Sequence, residues 1–306
     1  MPPAGDLGSR LPSPPWTTRF APAPTGLLHL GHAANAVFVW GIARAFGGRI
    51  VLRIEDHDRI RCRPEYEGAL LDDLDWLGLA PDLGATAELR AGPSPCRQSD
   101  RLPLYEAALA RLEAAGLVYP CACSRRAIRD GSPQGATELR YPGTCRARGL
   151  DPDLHPMRRV RLDPRAIAFD DLLLGPQRQL PAEECGDLLA RDRDGNWTYQ
   201  FAVVVDDLDQ GIDVVIRGVD LLPSTGRQVQ LAALLGRREP PRFLHHPLLL
   251  RSDGTKLSKA NRDTGLADLR AAGWGRERVL GEAAFLAGLQ ARASPLAPEG
   301  LPALFL

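Results

Sequence analysis

His29 and His32, with Leu30 and Gly31 between them, follow the turn-forming run Pro22-Ala23-Pro24-Thr25-Gly26. Imidazoles at the start of a helix could donate to phosphate oxygens as those gain charge, where free N–H groups and the helix dipole already favour an anion. Gly31 would let a flat base or ribose approach the backbone. A four-residue match alone is also what an ordinary strand-to-helix turn would show. Far downstream, Lys256-Leu257-Ser258-Lys259 follows the turn-forming Ser252-Asp253-Gly254-Thr255. Lysines three apart on a loop suit the β and γ phosphates of ATP and the charge that grows on departing pyrophosphate; a solvated surface pair is the bland alternative. A third group is Cys121-Ala122-Cys123 with Cys145. Clustered thiolates favour one structural Zn²⁺ in a tetrahedral site. Tyr141 is a candidate fourth ligand, since a bound cation can favour its phenolate. Three unlinked buried cysteines and a packing tyrosine would be the alternative. Cys62, Cys96 and Cys185 have no such grouping.

These groups need elements to hold them. Phe20-Ala21 reads as a short strand ended by two prolines, and Leu30–Phe46 as a helix. Arg49–Ile54 reads as a second strand that delivers Glu55, Asp56 and Asp58 to its carboxyl end, the ligand-binding edge of an open α/β sheet. Helices are expected over 65–77 and 104–115, the latter ended by Gly116. The alternation then breaks, and 119–195 reads as an insertion carrying the cysteines. Tyr199–Val205 reads as a strong strand closed by Asp206-Asp207, Val214–Arg217 as another, and 225–235, 266–272 and 277–289 as helices. The expected organisation is a disordered tail (1–16), a Rossmann-like domain in two halves (17–118 and 196–246) around the insertion, and a lysine loop with helices (247–306). This is an α/β, doubly wound parallel-sheet class with a short helical C-terminal region.

The 306-residue chain has 44 % apolar and 25 % charged residues, ordinary for a globular protein. Its 38 Lys+Arg balance 38 Asp+Glu, so no global field announces a nucleic-acid partner. The local excess of cations from Arg251 to Arg278 would suffice for one. No apolar run approaches bilayer-spanning length and no secretory leader is apparent, so a cytoplasmic monomer with reduced cysteines is expected.

The histidine and lysine motifs together resemble the HIGH and KMSKS elements of class I aminoacyl-tRNA synthetases, with Leu257 where methionine is usual. Arg53-Ile54-Glu55-Asp56 and Ile216-Arg217-Gly218-Val219-Asp220 are similar to the glutamyl branch. Tyr141-Pro142-Gly143-Thr144-Cys145-Arg146 resembles the zinc half-site of the glutamyl-Q tRNA(Asp) synthetase family, a shortened branch of that class; the likeness covers most of 17–265. Only 47 residues follow Lys259, fewer than a separate anticodon-binding domain usually needs.

The resemblance implies activation of L-glutamate with ATP and Mg²⁺, without tRNA, to glutamyl-adenylate. It further implies transfer of glutamate to queuosine at the wobble position of tRNA(Asp). It assigns L-glutamate binding to Arg19, Ala21, Ala23, Glu55, Tyr199 and Arg217. The arginines would take carboxylate, Glu55 the ammonium, and Tyr199 would donate a hydrogen bond. ATP would meet His29, Gly31, His32 and Lys259, with His29, His32, Lys256 and Lys259 supporting the chemistry. Zinc would lie among Cys121, Cys123, Tyr141 and Cys145. The competing expectations are another glutamate-activating ligase, charging a tRNA 3′ end or a non-tRNA acceptor, and a silent tRNA-binding module.

Overall fold

The computed structural model describes residues 7–130, 139–249 and 265–306. Its first element is a one-turn helix, α1 (Leu7–Arg10), which corrects the expected disordered tail over 7–16. Leu7 and Leu11 are buried in the main core. The Arg10 guanidinium donates to the carbonyls of Leu172 and Asp171 at 2.8 and 2.9 Å. Two apolar anchors and a tethered cation hold a stretch that its prolines alone would leave loose.

β1 (Trp16–Phe20) and β2 (Gly48–Leu52) pair in parallel, Trp16 opposite Gly48 and Phe20 opposite Leu52. The crossover between them is α2 (Leu30–Ala45), buried from Ala36 through Ala43 without a break. A helix apolar nearly all round belongs inside the core. Gly41 is required there, because a Cβ would come within 2.3 Å of the Phe305 ring. α3 (Pro64–Leu77) ends at left-handed Gly78, and α4 (Thr86–Ala91) and α5 (Leu102–Ala114) follow.

β3 (Val118–Cys121), α6 (Arg125–Asp130) and β4 (Met157–Val160) come next, then the hairpin β5 (Ile167–Asp171) and β6 (Gly175–Gln179), α7 (Pro181–Glu184) and β7 (Leu188–Arg191). β3, β4 and β7 form their own antiparallel sheet. β5 instead pairs in parallel with a strand of the main sheet, and β6 extends it antiparallel. The stretch expected as one insertion therefore serves two sheets.

A clear correction is Tyr199–Val205. It is not a strand but the start of α8 (Tyr199–Asp209). Phe201 through Asp206 are all buried, so the run shows no alternation and no helical stripe. Such a run cannot be assigned by periodicity, and tertiary packing overrides the β-branched preference of three valines. Asp206, Asp207 and Asp209 then crowd the helix C-terminus, an unfavourable place for anions; arginines from elsewhere offset them.

β8 (Val214–Gly218), α9 (Thr225–Leu234) and β9 (Arg242–His246) complete a second parallel crossover, Val214 opposite Arg242 and Gly218 opposite His246. β1 lies beside β8. The Asp213 N–H donates to the Thr17 carbonyl at 2.8 Å and the Thr17 N–H to the Asp213 carboxylate at 2.9 Å. The result is the expected doubly wound α/β fold. α10 (Leu266–Ala271) and α11 (Arg276–Leu286) follow, with α11 and the 3₁₀ segment Pro298–Leu304 packed on α2. No helix among the described residues is long and apolar enough to cross a membrane.

Candidate active site

A cleft of about 610 Å³ opens at the carboxyl ends of β1 and β8. This is where open α/β sheets place ligands. Arg19, Ala21, Ala23 and His29 line it from β1 and its following turn, with Gly31 and His32 from the head of α2. Glu55, Tyr199 and Arg217 close it from three other elements. The structure thus brings together residues that lie almost 200 positions apart. Lys256 and Lys259 lie outside the described residues.

The histidines are held by the helix they begin. His29 is the N-cap of α2; its Nδ1 accepts the Gly31 N–H at 3.0 Å, and His32 Nδ1 accepts the His29 N–H at 3.2 Å. Each Nδ1 lone pair is therefore occupied, which puts the proton of a neutral ring on Nε2. The rings are 4.0 Å apart between centroids. Gly31 has a local reason beyond ligand access: a Cβ would come within 2.8 Å of the His29 ring.

Glu55 is placed by backbone. The Arg53 N–H donates to Phe20 O at 3.0 Å and the Glu55 N–H to Pro22 O at 3.1 Å, prolonging the parallel pairing past the two prolines. Arg53, completely buried, donates to Glu55 at 2.9 Å and to Asp207 at 2.8 Å, with Asp206 at 3.7 Å. Burial would lower its pKa, but Asp207, Asp206 and Glu55 together hold it well above the ordinary value. Arg19 donates to Asp207 at 3.2 Å and to the Ile216 carbonyl at 3.3 Å. Burial would raise the Asp207 carboxyl, yet Arg19 and Arg53 keep it below the usual range. Asp206 also accepts from Gln98, Arg101 and Tyr105 at 2.7, 2.7 and 2.9 Å.

Arg217 differs. It is 4 % exposed, yet among the described residues no carboxylate lies within ion-pair distance of it. Its partners are neutral: His245 Nε2 at 3.0 Å, Gln228 Oε1 at 2.7 Å and Thr225 Oγ1 at 2.8 Å. Burial lowers its pKa, as does the Arg19 charge, against the pull of Asp207, but a guanidinium stays charged through such a shift. Tyr199, the first residue of α8, is pushed up by burial and by the Glu55 charge, so it stays a neutral donor.

The cysteine group is real in space. The sulfurs of Cys121, Cys123 and Cys145 lie within 4.8 Å of one another, and those of Cys123 and Cys145 are 3.6 Å apart. Tetrahedral Zn–S bonds of about 2.3 Å place sulfurs about 3.8 Å apart, so the donor set fits Zn²⁺. Tyr141 OH is 3.6 Å from Cys121 Sγ and accepts the Cys145 N–H at 2.9 Å. Burial raises the phenol's pKa, as does the hydrogen bond with Cys121; a cation at the thiols would act the other way. Cys145 is lowered to about 7, its backbone and phenol hydrogen bonds outweighing burial. Arg159, which sequence reading left unassigned, donates to Cys121 Sγ at 3.3 Å and sits 3.7 Å above the Tyr141 ring.

Other cleft residues were also missed. His57 lines it, with Nδ1 2.7 Å from Gln98 Oε1. His246 lines it on β9, stacked 4.6 Å from Phe38, with Nε2 3.1 Å from Asn35. The usable signal for His246 was a histidine pair ending the apolar Phe243-Leu244 step.

Comparison with known proteins agrees with this geometry. Residues 16–293 match the family described as tRNA synthetases class I (E and Q), catalytic domain. A protein of Symbiobacterium thermophilum named glutamyl-Q tRNA(Asp) synthetase is 46 % identical over 304 residues, covering 94 % of this chain and 91 % of its own. One of that name in Nitratidesulfovibrio vulgaris is 42 % identical, covering 92 % and 89 %. A glutamate tRNA ligase from Elizabethkingia meningosepticum, solved with its amino acid, superposes with a TM-score of 0.74 at 25 % identity. The match covers 94 % of this chain but only 64 % of that larger one. The chain therefore belongs to the class I aminoacyl-tRNA synthetase family, on its E and Q catalytic-domain branch beside the glutamyl-Q tRNA(Asp) synthetases, and is an ATP-dependent ligase.

Proposed function

We propose that the cleft activates L-glutamate with ATP and passes the glutamyl group to queuosine at the wobble position of tRNA(Asp). The observation that carries the amino-acid choice is Arg217, a buried cation with neutral partners, facing the same cleft as Arg19, Glu55 and Tyr199. The side-chain carboxylate of glutamate would supply the missing anion, whereas the side-chain carboxamide of glutamine would not. Glu55, whose carboxylate accepts from Arg53 alone among the described residues, is suited to the ammonium. Ala21 and Ala23 give the amino acid room beside the β1 backbone.

In the first step a glutamate carboxylate oxygen attacks the α-phosphorus and the bond to pyrophosphate breaks. In the second, a queuosine diol oxygen attacks the acyl carbon, the bond to AMP breaks, and the alcohol's proton is released. No protein nucleophile is needed, so positioning and charge stabilisation carry the rate. Nε2–H groups of His29 and His32 would donate to ATP phosphates, with Lys256 and Lys259 completing that role and Mg²⁺ arriving on the phosphates. One Zn²⁺ at Cys121, Cys123, Cys145 and Tyr141 would brace the module that carries them. A cytoplasmic setting suits this reading.

The acceptor is tested by transfer of labelled glutamate to tRNA(Asp) bearing queuosine, followed by nuclease digestion. Label released with the wobble nucleoside supports the reading. Label on the 3′-terminal adenosine makes this an ordinary charging enzyme.

A further inference from the structure

Arg217 and His245 are register partners on the adjacent parallel strands β8 and β9, so their side chains rise on the same face. Arg217 Nε can only donate, so His245 Nε2, 3.0 Å away, must accept. The ring proton then sits on Nδ1, which faces the Asp171 carboxylate at 2.6 Å. Asp171 is itself fixed by the backbone N–H groups of His245, Leu173 and Leu174 at 3.1, 3.0 and 2.8 Å. Both side chains of this pair are fully buried. A charged imidazole would lose the acceptor and put a second cation beside the first.

On the other side of the guanidinium, Gln228 Oε1 accepts from Nη1 at 2.7 Å, while the Gln228 amide donates to Gln200 Oε1 at 2.7 Å. The Gln200 amide in turn donates to Ser224 Oγ at 2.9 Å. That chain fixes which end of the Gln228 amide meets Arg217. Thr225 Oγ1 accepts from Nη2 at 2.8 Å. Each of these positions could have held a carboxylate, as the surroundings of Arg53 do. None does.

We propose that His245, Gln228 and Thr225 form a neutral cradle that orients Arg217 without cancelling its charge, with Asp171 fixing the His245 tautomer. The preference for a substrate carboxylate over a carboxamide rests on that neutrality. They are positioning residues: they act through Arg217. The inference deepens the functional reading above and depends on Arg217 meeting substrate glutamate.

The discriminating variant is Gln228→Glu. It keeps the shape but hands Arg217 a carboxylate. Glutamate-dependent ATP–pyrophosphate exchange is measured against glutamate and glutamine concentration, alongside thermal unfolding. The expected result is a glutamate KM higher by roughly tenfold to a hundredfold, the size of one hydrogen bond to a charged group. The ATP KM should hold, the melting temperature should hold or rise, and discrimination against glutamine should fall. A purely structural cradle predicts no change in KM. His245→Asn and His245→Gln are the second pair, and they decide the matter should Q228E fail to fold. Asparagine keeps a donor towards Asp171 but offers Arg217 nothing, whereas glutamine can present an oxygen near the Nε2 position. H245N should raise glutamate KM and H245Q should recover much of it. Wild-type glutamate KM in folded Q228E, or in both His245 variants, overturns the cradle. Absence of glutamate-dependent exchange in the unsubstituted protein overturns the functional reading itself, and the cradle with it.

Discussion

Arg53 and Arg217 are both buried arginines near the carboxyl end of a parallel strand, and the chain treats them in opposite ways. Arg53 is enclosed by Glu55, Asp206 and Asp207, which raise its pKa well above the ordinary value. Arg217 is enclosed by a histidine, a glutamine and a threonine, and its pKa is lowered. The first cation is spent on the protein: it ties β2 to the acidic end of α8. The second meets no carboxylate among the described residues. A buried charge without a counter-charge costs stability, and its place at the wall of a cleft is what supports the proposed role as receptor for a substrate carboxylate. Arg19 stands between the two, sharing Asp207 with Arg53 while lining the cleft.

Arg53→Met breaks the ionic side of this comparison. It leaves three carboxylates around a cavity wall with one cation fewer. The expected loss is about 3–5 kcal/mol of stability, read as a large drop in melting temperature. A variant that melts like the wild type would mean the network is not what holds α8.

Acid tests the neutral side. Burial lowers His245 and His246 below the usual imidazole pKa, His246 to about 4. The unfolded chain then binds these protons more readily. Their contribution is whole above about pH 6.5 and is lost as pH falls towards the folded values, at up to about 1.4 kcal/mol per pH unit for each group. Asp73, raised to about 6 by burial, titrates with the opposite sign in the same window. Melting from pH 7.5 to 4.5 is therefore compared in an Asp73→Asn background, where stability should fall steadily with pH. A flat profile there would mean the folded chain takes up these protons as readily as the unfolded one, so that burial does not hold the two imidazoles down.

A smaller effect is expected where neither arginine is touched. The purified protein should hold about one zinc per chain, and Cys123→Ser should lose it. Glutamate-dependent pyrophosphate exchange should change little in that variant, while transfer to tRNA falls several-fold. Retained zinc, or exchange lost in step with transfer, would break the separation of the cysteine module from the glutamate pocket.

What could be read from the chain alone follows from the same physics. The helix start at His29, Gly31 and His32 was legible because capping is written in short-range sequence. The cysteine cluster was legible because thiols grouped closely in sequence are easily brought together in space. α8 was misread as a strand because burial on all sides erases periodicity, and the acidic end that identifies it is meaningful only once Arg53 and Arg101 arrive from other segments. His245, Gln228 and Asp171 were invisible for a related reason. Their role comes from strand register and from contacts spanning up to 74 residues, which no local pattern encodes.

The most direct test of the account is Arg217→Ala assayed beside its own melting curve. Glutamate-dependent pyrophosphate exchange should fall by roughly two to four orders of magnitude, the 3–5 kcal/mol of a charge left unpaired. The fold should persist, since among the described residues no carboxylate loses its partner. An Arg217→Ala protein that activates glutamate as the wild type does would contradict the account and place the carboxylate receptor elsewhere.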